Sequence, residues 1–364
     1  MPIIDRYIIK KFLGTLGFML LLLSIIVVVI DVQSKSPRIE GNGFTVGYFL
    51  IHFYPFWMIY LVITFMSILV FISVIYFTSR MANNTEIVAV ISSGASFHRF
   101  ARPYFIASAI IALFSLATNH YLLPWANVQK NKLEVYTYNE VDREKVLGNV
   151  EIATRLSPTE YIFINNYNRK EKRGSSFMFQ KFDKNRKLIE EIIANEIAWD
   201  EKKKVFAATG YLERKAAKND TEILSNGDRK ELNFGLPPEE LFPDGLLGQT
   251  KTTPELTKLI QQEKAKGNKN LNTFLNELHQ RTSMPVSIII LTLLALSLSS
   301  QKKRGGLGLN LAIGIALAFV FVFSFEALKV VAENNTLPPA LAMWLPNLVF
   351  GPLAAFLYLR RANQ

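Results

Sequence analysis

"FLGTLGFMLLLLSIIVVVI", residues 12–30, is the stretch that decides the fold class of this chain. It carries no charge and is close to the roughly 20 apolar residues that a helix needs to cross a hydrocarbon core. Five more apolar runs of similar length follow along the 364-residue chain. We interpret the six runs as membrane-spanning helices at Phe12–Ile30, Pro55–Thr78, Pro103–Leu123, Ser283–Ser300, Leu307–Leu328 and Leu341–Leu359. The sequence therefore predicts a membrane α-helical protein with six transmembrane helices.

The third and fourth runs are separated by a long polar stretch, residues 124–282, which is large enough for a domain. Several of its segments are rich in β-branched and aromatic residues: "YIFIN" (161–165), "SSFMFQKF" (175–182), "IIANEIAW" (192–199) and "VFAATGYLER" (205–214). The polar segments "DKNRK" (183–187) and "SNGDRK" (225–230) are interpreted as turns. "PELTKLIQQEKAKG" (254–267) predicts a helix with a proline start and a glycine stop. We expect an antiparallel sandwich or open jelly roll on a helical stalk.

Three regions result from this division. Residues 1–123 hold transmembrane helices 1–3 and a short cytoplasmic helix near 84–93. Residues 124–270 form an inserted periplasmic antiparallel β domain that is jelly-roll-like, and residues 271–364 hold transmembrane helices 4–6.

The distribution of positive charge predicts the orientation. Residues 124–282 hold 27 Lys and Arg against 24 Asp and Glu, a nearly balanced surface. In the short loops and ends, 11 Lys and Arg lie on one side of the six runs and 3 on the other. Because positive charge in short loops marks the cytoplasmic side, we expect both termini in the cytoplasm and the β domain outside. The basic composition is therefore a topology signal, and it does not indicate binding to nucleic acid.

The sequence contains no motif that predicts a catalytic or metal site. It has no cysteine, which excludes disulfides and thiolate ligands. "KKRGGLG" (302–308) lacks the Gly-Lys-Ser/Thr end of a phosphate-binding loop and is interpreted as a turn. The four histidines are scattered, and neither HExxH nor GxSxG occurs. We expect no cofactor in this chain.

"NNTEIVAVISSGASFHRFARP" (83–103) lies between the second and third apolar runs. Asn83 and Glu86 have the spacing of a capping box, and Ile87, Val90 and Ile91 fall on one helical face. Gly94 can end the helix in a left-handed conformation. The stretch predicts a two-turn helix along the cytoplasmic membrane surface. Its simplest role is to join the second and third spans.

The same stretch resembles the coupling segment of the LptF/LptG family of lipopolysaccharide-export permeases. The matching positions are Glu86, Ile87, Ala89, Ser93, Gly94, Arg99 and Pro103. Other stretches resemble the family in the same order: "IIDRYIIKKFL" (3–13), "LPWAN" (123–127), "MPVSIIILTLLALSLSSQKKRGGLG" (284–308) and "LPPALAMWLPNLVF" (337–350). The "DRY" at 5–7 is closer to LptG than to LptF. The resemblance covers nearly the whole chain and agrees with the order of spans and domain.

The resemblance implies a transmembrane subunit of an ABC exporter in the bacterial inner membrane. Its expected partners are a cytosolic ABC ATPase dimer that binds ATP and Mg, a second homologous six-span permease chain, periplasmic jelly-roll proteins of the LptC/LptA type, and lipopolysaccharide. In such a subunit the short helix docks into the ATPase. The residues expected at that contact are Glu86, Ile87, Val90, Ile91, Gly94 and Arg99.

Four charged residues are candidates for lipid contact. Lys35 and Arg38 follow the first run, where cations can bind lipid phosphates through charge-assisted hydrogen bonds. The alternative for both is an ordinary ion pair with Asp31 or Glu40. Glu326 and Lys329 are three residues apart near the outer end of the fifth run, so they can face each other on the rim of a cavity.

Two other functional classes remain to be weighed. The chain is alternatively a mechanotransmission or scaffold subunit that anchors a periplasmic β domain without moving substrate. An intramembrane enzyme is disfavoured because the six runs contain few ionisable residues.

Overall fold

The computed structural model of the chain describes residues 3–138, 149–217, 221–241, 246–268, 271–301 and 306–363. Its six long helices are α1 (Ile3–Gly41), α3 (Tyr54–Asn83), α5 (Phe97–Ala117), α10 (Asn272–Ser299), α11 (Gly306–Glu333) and α12 (Pro339–Ala362). The short helices are α2 (Val46–His52), α4 (Glu86–Ser92), α6 (Leu123–Glu134), α7 (Pro238–Leu241), α8 (Leu247–Thr250) and α9 (Thr253–Ala265). Within the described ranges, six helices are long and apolar enough to cross a membrane, as predicted.

All six helices extend beyond the predicted spans at one end or both, and the extensions of α1 and α5 change the expected connections. Helix α1 continues through Pro37 to Gly41, so the segment after Ile30, which holds Lys35 and Arg38, is helical. Helix α5 continues through a π-helical turn, Thr118–Leu122, into α6. Pro124 in the first turn of α6 has no N–H to donate, which fits a place where the regular hydrogen-bond pattern changes. The predicted turn at 302–308 lies largely outside the described residues.

Helix α10 lies at the centre of the helical core and contacts α3, α5, α11 and α12. Its side chains Ile288, Leu291 and Leu294 are fully buried. In lipid such packing stabilises through close contact rather than through the removal of water. Polar side chains add specific ties: the Ser287 hydroxyl donates to Ser67 Oγ at 2.7 Å. Asn347 donates from α12 to the Ser283 carbonyl, also at 2.7 Å.

The inserted domain is an antiparallel sheet. Its strands are β1 (Asn149–Ser157), β2 (Glu160–Asn168), β3 (Arg173–Phe182), β4 (Leu188–Asp200), β5 (Val205–Ala216) and β6 (Glu222–Leu232). Each strand pairs with its neighbours in sequence, so the described strands form one open meander and not two packed sheets. The four segments predicted as strands lie in β2 to β5, and "DKNRK" is a turn. Helix α9 and Gly267, at φ 81°, match the predicted stalk helix and its glycine stop.

The predicted turn "SNGDRK" is wrong, because these residues lie inside β6. The strand is nearly all exposed and polar, so its pattern has no apolar alternation, and pairing with β5 holds it. Gly227 is opposite Tyr211, and a Cβ on Gly227 would lie 2.9 Å from the Tyr211 ring. The glycine therefore permits close approach across the strands and does not mark a turn.

The buried side chains of the sheet change face along β4. In β4 the buried side chains pass from Ile192 and Ala194 to Ile197, across Asn195. The neighbouring strand has Gly210 at this level with φ 60°, and an added Cβ would lie 2.6 Å from Asn195 Nδ2. The local twist lets both ends of the sheet contribute to one apolar cluster.

Candidate functional site

The α3–α5 corner, residues 83–99, is the site that the sequence singled out. Helix α3 ends at Asn83, and Thr85 adopts φ 61°, a left-handed conformation that costs a β-branched residue about 1–3 kcal/mol. The predicted capping box is therefore wrong, because Asn83 lies in the last turn of α3 and Thr85 precedes α4. Gly94 has φ 91° and follows α4, and Ser96 caps α5 by accepting from the Arg99 N–H. Left-handed residues at both ends set the direction of α4.

The apolar face of α4 packs against this same chain. Ile87 is only 1% exposed, and Val90 and Ile91 are partly buried against the helical core. The outward side presents Val88, which is 57% exposed, beside Ala89. Ile87 was expected to form an apolar contact with a partner. The packing instead places it inside this chain, and the accessible apolar side chain of α4 is Val88.

Glu86 begins α4, and its carboxylate is held by two neutral donors. The Tyr7 hydroxyl of α1 donates to Oε2 at 3.0 Å, and Asn84 Nδ2 donates to Oε1 at 3.3 Å. Neither partner neutralises the charge. The carboxylate lies at the start of a helix, where the helix dipole favours negative charge.

Arg99, in the first turn of α5, pairs with Asp5 near the start of α1. Nη1 donates to Oδ1 at 2.8 Å and Nη2 to Oδ2 at 3.0 Å, a bidentate ion pair. The Asp5 side chain is 4% exposed. Arg99 was expected at the ATPase contact, and its guanidinium is committed to this pair within the chain.

Lys35 and Arg38 lie on the last turns of α1, where both contact neighbouring elements of the chain. Lys35 Nζ is 3.0 Å from Asp31 Oδ1 and lies over the rings of Phe53 and Trp57. Arg38 donates to the Thr137 carbonyl at 3.3 Å. The ion-pair alternative with Asp31 is therefore present for Lys35. Its side chain is still 20% exposed, so the ammonium retains access to the surface.

Glu326 and Lys329 open onto one small polar cavity of about 110 Å³ between α3, α6, α10 and α11. Other polar residues that line it include Tyr60, Asn127, Glu277 and Arg281. In the described part of the chain no ion pair joins Glu326 to Lys329. The two side chains line the same cavity without forming an ion pair.

Arg281, in the N-terminal half of α10, joins the stalk of the β domain to the long helices. Its side chain is fully buried, and Nε donates to Glu277 Oε1 at 2.9 Å. The other nitrogens donate to the carbonyls of Gly248 and Lys251 and to Thr253 Oγ1, at 2.9 to 3.0 Å. One guanidinium therefore joins α10 to the segment that leads from α8 into α9.

The sheet carries a buried carboxylate of its own. Burial opposes ionisation of Glu213, but hydrogen bonds from Lys215 and Lys230 outweigh it and lower the pKa of this carboxyl to about 2. Lys215 Nζ lies 2.7 Å from Glu213 Oε1. The charge cluster ties β5 to β6, the outermost strand of the sheet.

Sequence reasoning missed Asp5, Tyr7 and Arg281 as organising residues. Asp5 and Tyr7 belong to the "DRY" segment, which was noted only as a family resemblance. The partners of Asp5 and Tyr7 are distant in sequence, at separations of 94 and 79 residues. Arg281 has Glu277 four residues away, but its other partners are 28 to 33 residues away. A signal existed for Arg281, since a basic residue just before an apolar run needs a buried partner or the interface.

Six apolar helices with an inserted antiparallel sheet and a short helix at one corner of the bundle define a multi-pass membrane protein. The family model described as "Lipopolysaccharide export system permease LptF/LptG" matches residues 6–360, and the chain belongs to this family. It is therefore an inner-membrane permease subunit of the lipopolysaccharide export system and not itself a catalytic subunit. The match does not separate LptF from LptG. A comparison with curated proteins found no match.

Proposed function

We propose that the chain couples a cytosolic ABC ATPase dimer to the extraction of lipopolysaccharide from the inner membrane. The ATPase docks on the α3–α5 corner and supplies ATP and Mg, and the extracted lipid passes to the β domain and a periplasmic bridge. The observation that carries this proposal is the outward side of α4. Val88 is exposed there beside small residues, and the Glu86 carboxylate lies at the same end of the helix. An apolar side chain next to a charge fits a groove with a basic residue.

A second homologous six-span chain completes the transmembrane part in this proposal. The middle of α1 and much of α11 are exposed within this chain; their exposed side chains include Phe18, Leu21, Ile25, Phe319 and Phe323. A surface so apolar requires lipid or another apolar helix as its neighbour. Two chains that face each other through α1 and α11 would enclose a space for the lipid's acyl chains.

The β domain lies in the periplasm in this proposal, with both termini in the cytoplasm. Strand β6 ends the sheet, so among the described strands one side of its backbone has no partner strand. Such an edge can accept a strand from a periplasmic jelly-roll protein of the LptC/LptA type. Its polar side chains keep the edge soluble until that partner binds.

The alternative, a mechanotransmission or scaffold subunit, requires no lipid path. Purification of the chain from its native membrane separates the two. Transport predicts that an ATPase subunit, a homologous permease and lipopolysaccharide co-purify, as measured by mass spectrometry. An ATPase without lipopolysaccharide would support mechanotransmission, and neither would support a scaffold.

The absence of native cysteine allows a direct test of orientation. Ser93→Cys places one thiol on the α3–α5 corner, and Lys202→Cys places one on the β4–β5 turn. A membrane-impermeant maleimide should label intact spheroplasts only at position 202. Labelling at position 93 alone would reverse the topology.

A further inference from the structure

We propose that the first two turns of α1 belong to the coupling machinery. Asp5 forms an ion pair with Arg99, and the Tyr7 hydroxyl donates a hydrogen bond to Glu86, so that α1 moves together with the α3–α5 corner. This inference rests on the proposed function and deepens it, because it names the residues through which movement of the corner reaches the first spanning helix. Asp5 and Tyr7 are positioning residues and need no contact with nucleotide or lipid.

The geometry of the Asp5–Arg99 pair suits it to transmit movement between α5 and α1. Its two parallel hydrogen bonds of 2.8 and 3.0 Å fix the orientation of both groups as well as their distance. The Asp5 carboxylate is almost wholly buried, and a buried charge is strongly destabilised when its partner leaves. Separation of α1 from α5 is therefore unfavourable, and the two helix ends should move as one body.

The second contact joins α1 to the neighbouring helix of the corner. Tyr7 lies two residues after Asp5, and its hydroxyl donates to Glu86 at 3.0 Å, at the first residue of α4. The start of α1 is thus held by α4 and by α5 at once. A partner that binds the Glu86 carboxylate also acts on Tyr7, because the Tyr7 hydroxyl donates to the same carboxylate.

The packing of α1 makes its inner end a point of control. Its buried side chains are concentrated at the two ends: Asp5, Ile8, Phe12 and Leu16 at the start, and Ile39 at the far end. Between Leu16 and Ile39 the side chains that touch this chain's core are only partly buried, and most of the surface is exposed. Little packing therefore opposes a tilt of the middle of α1 when its inner end is moved.

The test uses the complete complex in proteoliposomes with lipopolysaccharide. The variants are Asp5→Arg, Arg99→Asp and the double charge swap, with Arg102→Asp as a matched control on the exposed side of α5. ATP hydrolysis and lipopolysaccharide released are measured together with the amount of bound ATPase. Each single reversal should lower the lipid released per ATP at least about fivefold, the lower end of typical coupling between sites. The double swap should restore the ratio, and Arg102→Asp should leave it unchanged.

Two further variants keep the proposal falsifiable if a charge reversal prevents folding. Arg99→Lys keeps the positive charge but cannot donate the two parallel hydrogen bonds to Asp5. Tyr7→Phe removes the hydroxyl that donates to Glu86. Both should lower the lipid released per ATP while the ATPase stays bound. Folded variants that keep the wild-type ratio would overturn the inference and leave the proposed function intact.

A second readout does not depend on the lipid that is carried. Spin labels on Ile25→Cys in α1 and Leu348→Cys in α12 report the position of α1, and both sites are exposed. ATP should shift the distance between the labels in the wild type and in Arg102→Asp, but not in Arg99→Lys. A shift of equal size in Arg99→Lys refutes the inference that the Asp5–Arg99 pair couples α1 to the corner. A wild type that moves α1 with ATP but releases no lipid would instead refute the proposed function.

Discussion

Neighbouring residues on α4, Ile87 and Val88, give a matched pair that separates folding from docking. Ile87 is 1% exposed and packs in the helical core, whereas Val88 is 57% exposed. Truncation of a buried isoleucine to alanine costs about 2–5 kcal/mol, and a surface truncation away from special features changes stability within about 0.5 kcal/mol. Ile87→Ala should therefore lower the melting temperature of the isolated permease, and Val88→Ala should not.

For binding of the ATPase, Val88 should matter more than Ile87, which is the opposite of the order expected for stability. Val88→Asp places a carboxylate in the proposed apolar contact, and the loss of a central contact costs about 2 kcal/mol or more, which is roughly 30-fold in affinity. The assay pairs thermal unfolding of the detergent-purified chain with the amount of ATPase that co-purifies. Val88→Asp should keep the melting temperature and lose the ATPase. Normal ATPase recovery with Val88→Asp, or loss of ATPase without loss of stability for Ile87→Ala, would refute the assignment of the two faces.

Three more predictions follow from the contacts above. Arg281→Met leaves the Glu277 carboxylate without its cation and should destabilise the stalk by about 3–5 kcal/mol, measured as faster proteolysis between α8 and α10. Adding Glu277→Gln should recover part of this stability. Equal proteolysis of the wild type and Arg281→Met would contradict the buried-pair argument. Lys35→Glu places a second negative charge beside Asp31 and should reduce photocrosslinking of lipopolysaccharide from position 38. Crosslinks to protein alone would indicate that Lys35 and Arg38 form ordinary surface contacts and do not bind lipid. The Glu213 pKa is depressed to about 2, so its contribution to stability is present above its unfolded pKa near 4.5 and is lost as the pH falls towards 2. The hydrogen-exchange protection factors of β5, taken relative to the intrinsic rate at each pH, should fall over that range in the wild type, and an equal fall in Glu213→Gln would assign the effect to other groups.

The six spanning helices were predictable because their signal is local. A run of about 20 apolar residues has few alternatives to a membrane helix, whatever its neighbours are. The ends were less predictable: α1 continues through Lys35 and Pro37 to Gly41, because neighbouring residues such as Tyr54 and Thr137 bind its polar side chains. Strands β2 to β5 were also local signals, whereas β6 was hidden because an edge strand needs no apolar face.

The position of the candidate site along the chain was predictable from the sequence, but the contacts of its residues were not. The sequence located α4 and its glycine stop, and the spacing of Ile87, Val90 and Ile91 correctly defined one apolar face. Spacing cannot say whether such a face turns towards the same chain or towards a partner. The answer depends on the position of α1 and α3, which is set by contacts between residues far apart in sequence. For the same reason the Asp5–Arg99 pair had no sequence signal.

The most direct test of the account is ATP-driven transfer of lipopolysaccharide through this chain. The purified complex is placed in proteoliposomes with labelled lipopolysaccharide, and transfer to a soluble periplasmic acceptor protein is followed with and without ATP. We expect transfer that requires ATP in the wild type and is lost in Glu86→Lys, whose membrane part should keep its fold while the ATPase is released. Transfer without ATP, or transfer at the wild-type rate in Glu86→Lys, would contradict the claim that the α3–α5 corner couples the ATPase to lipid export.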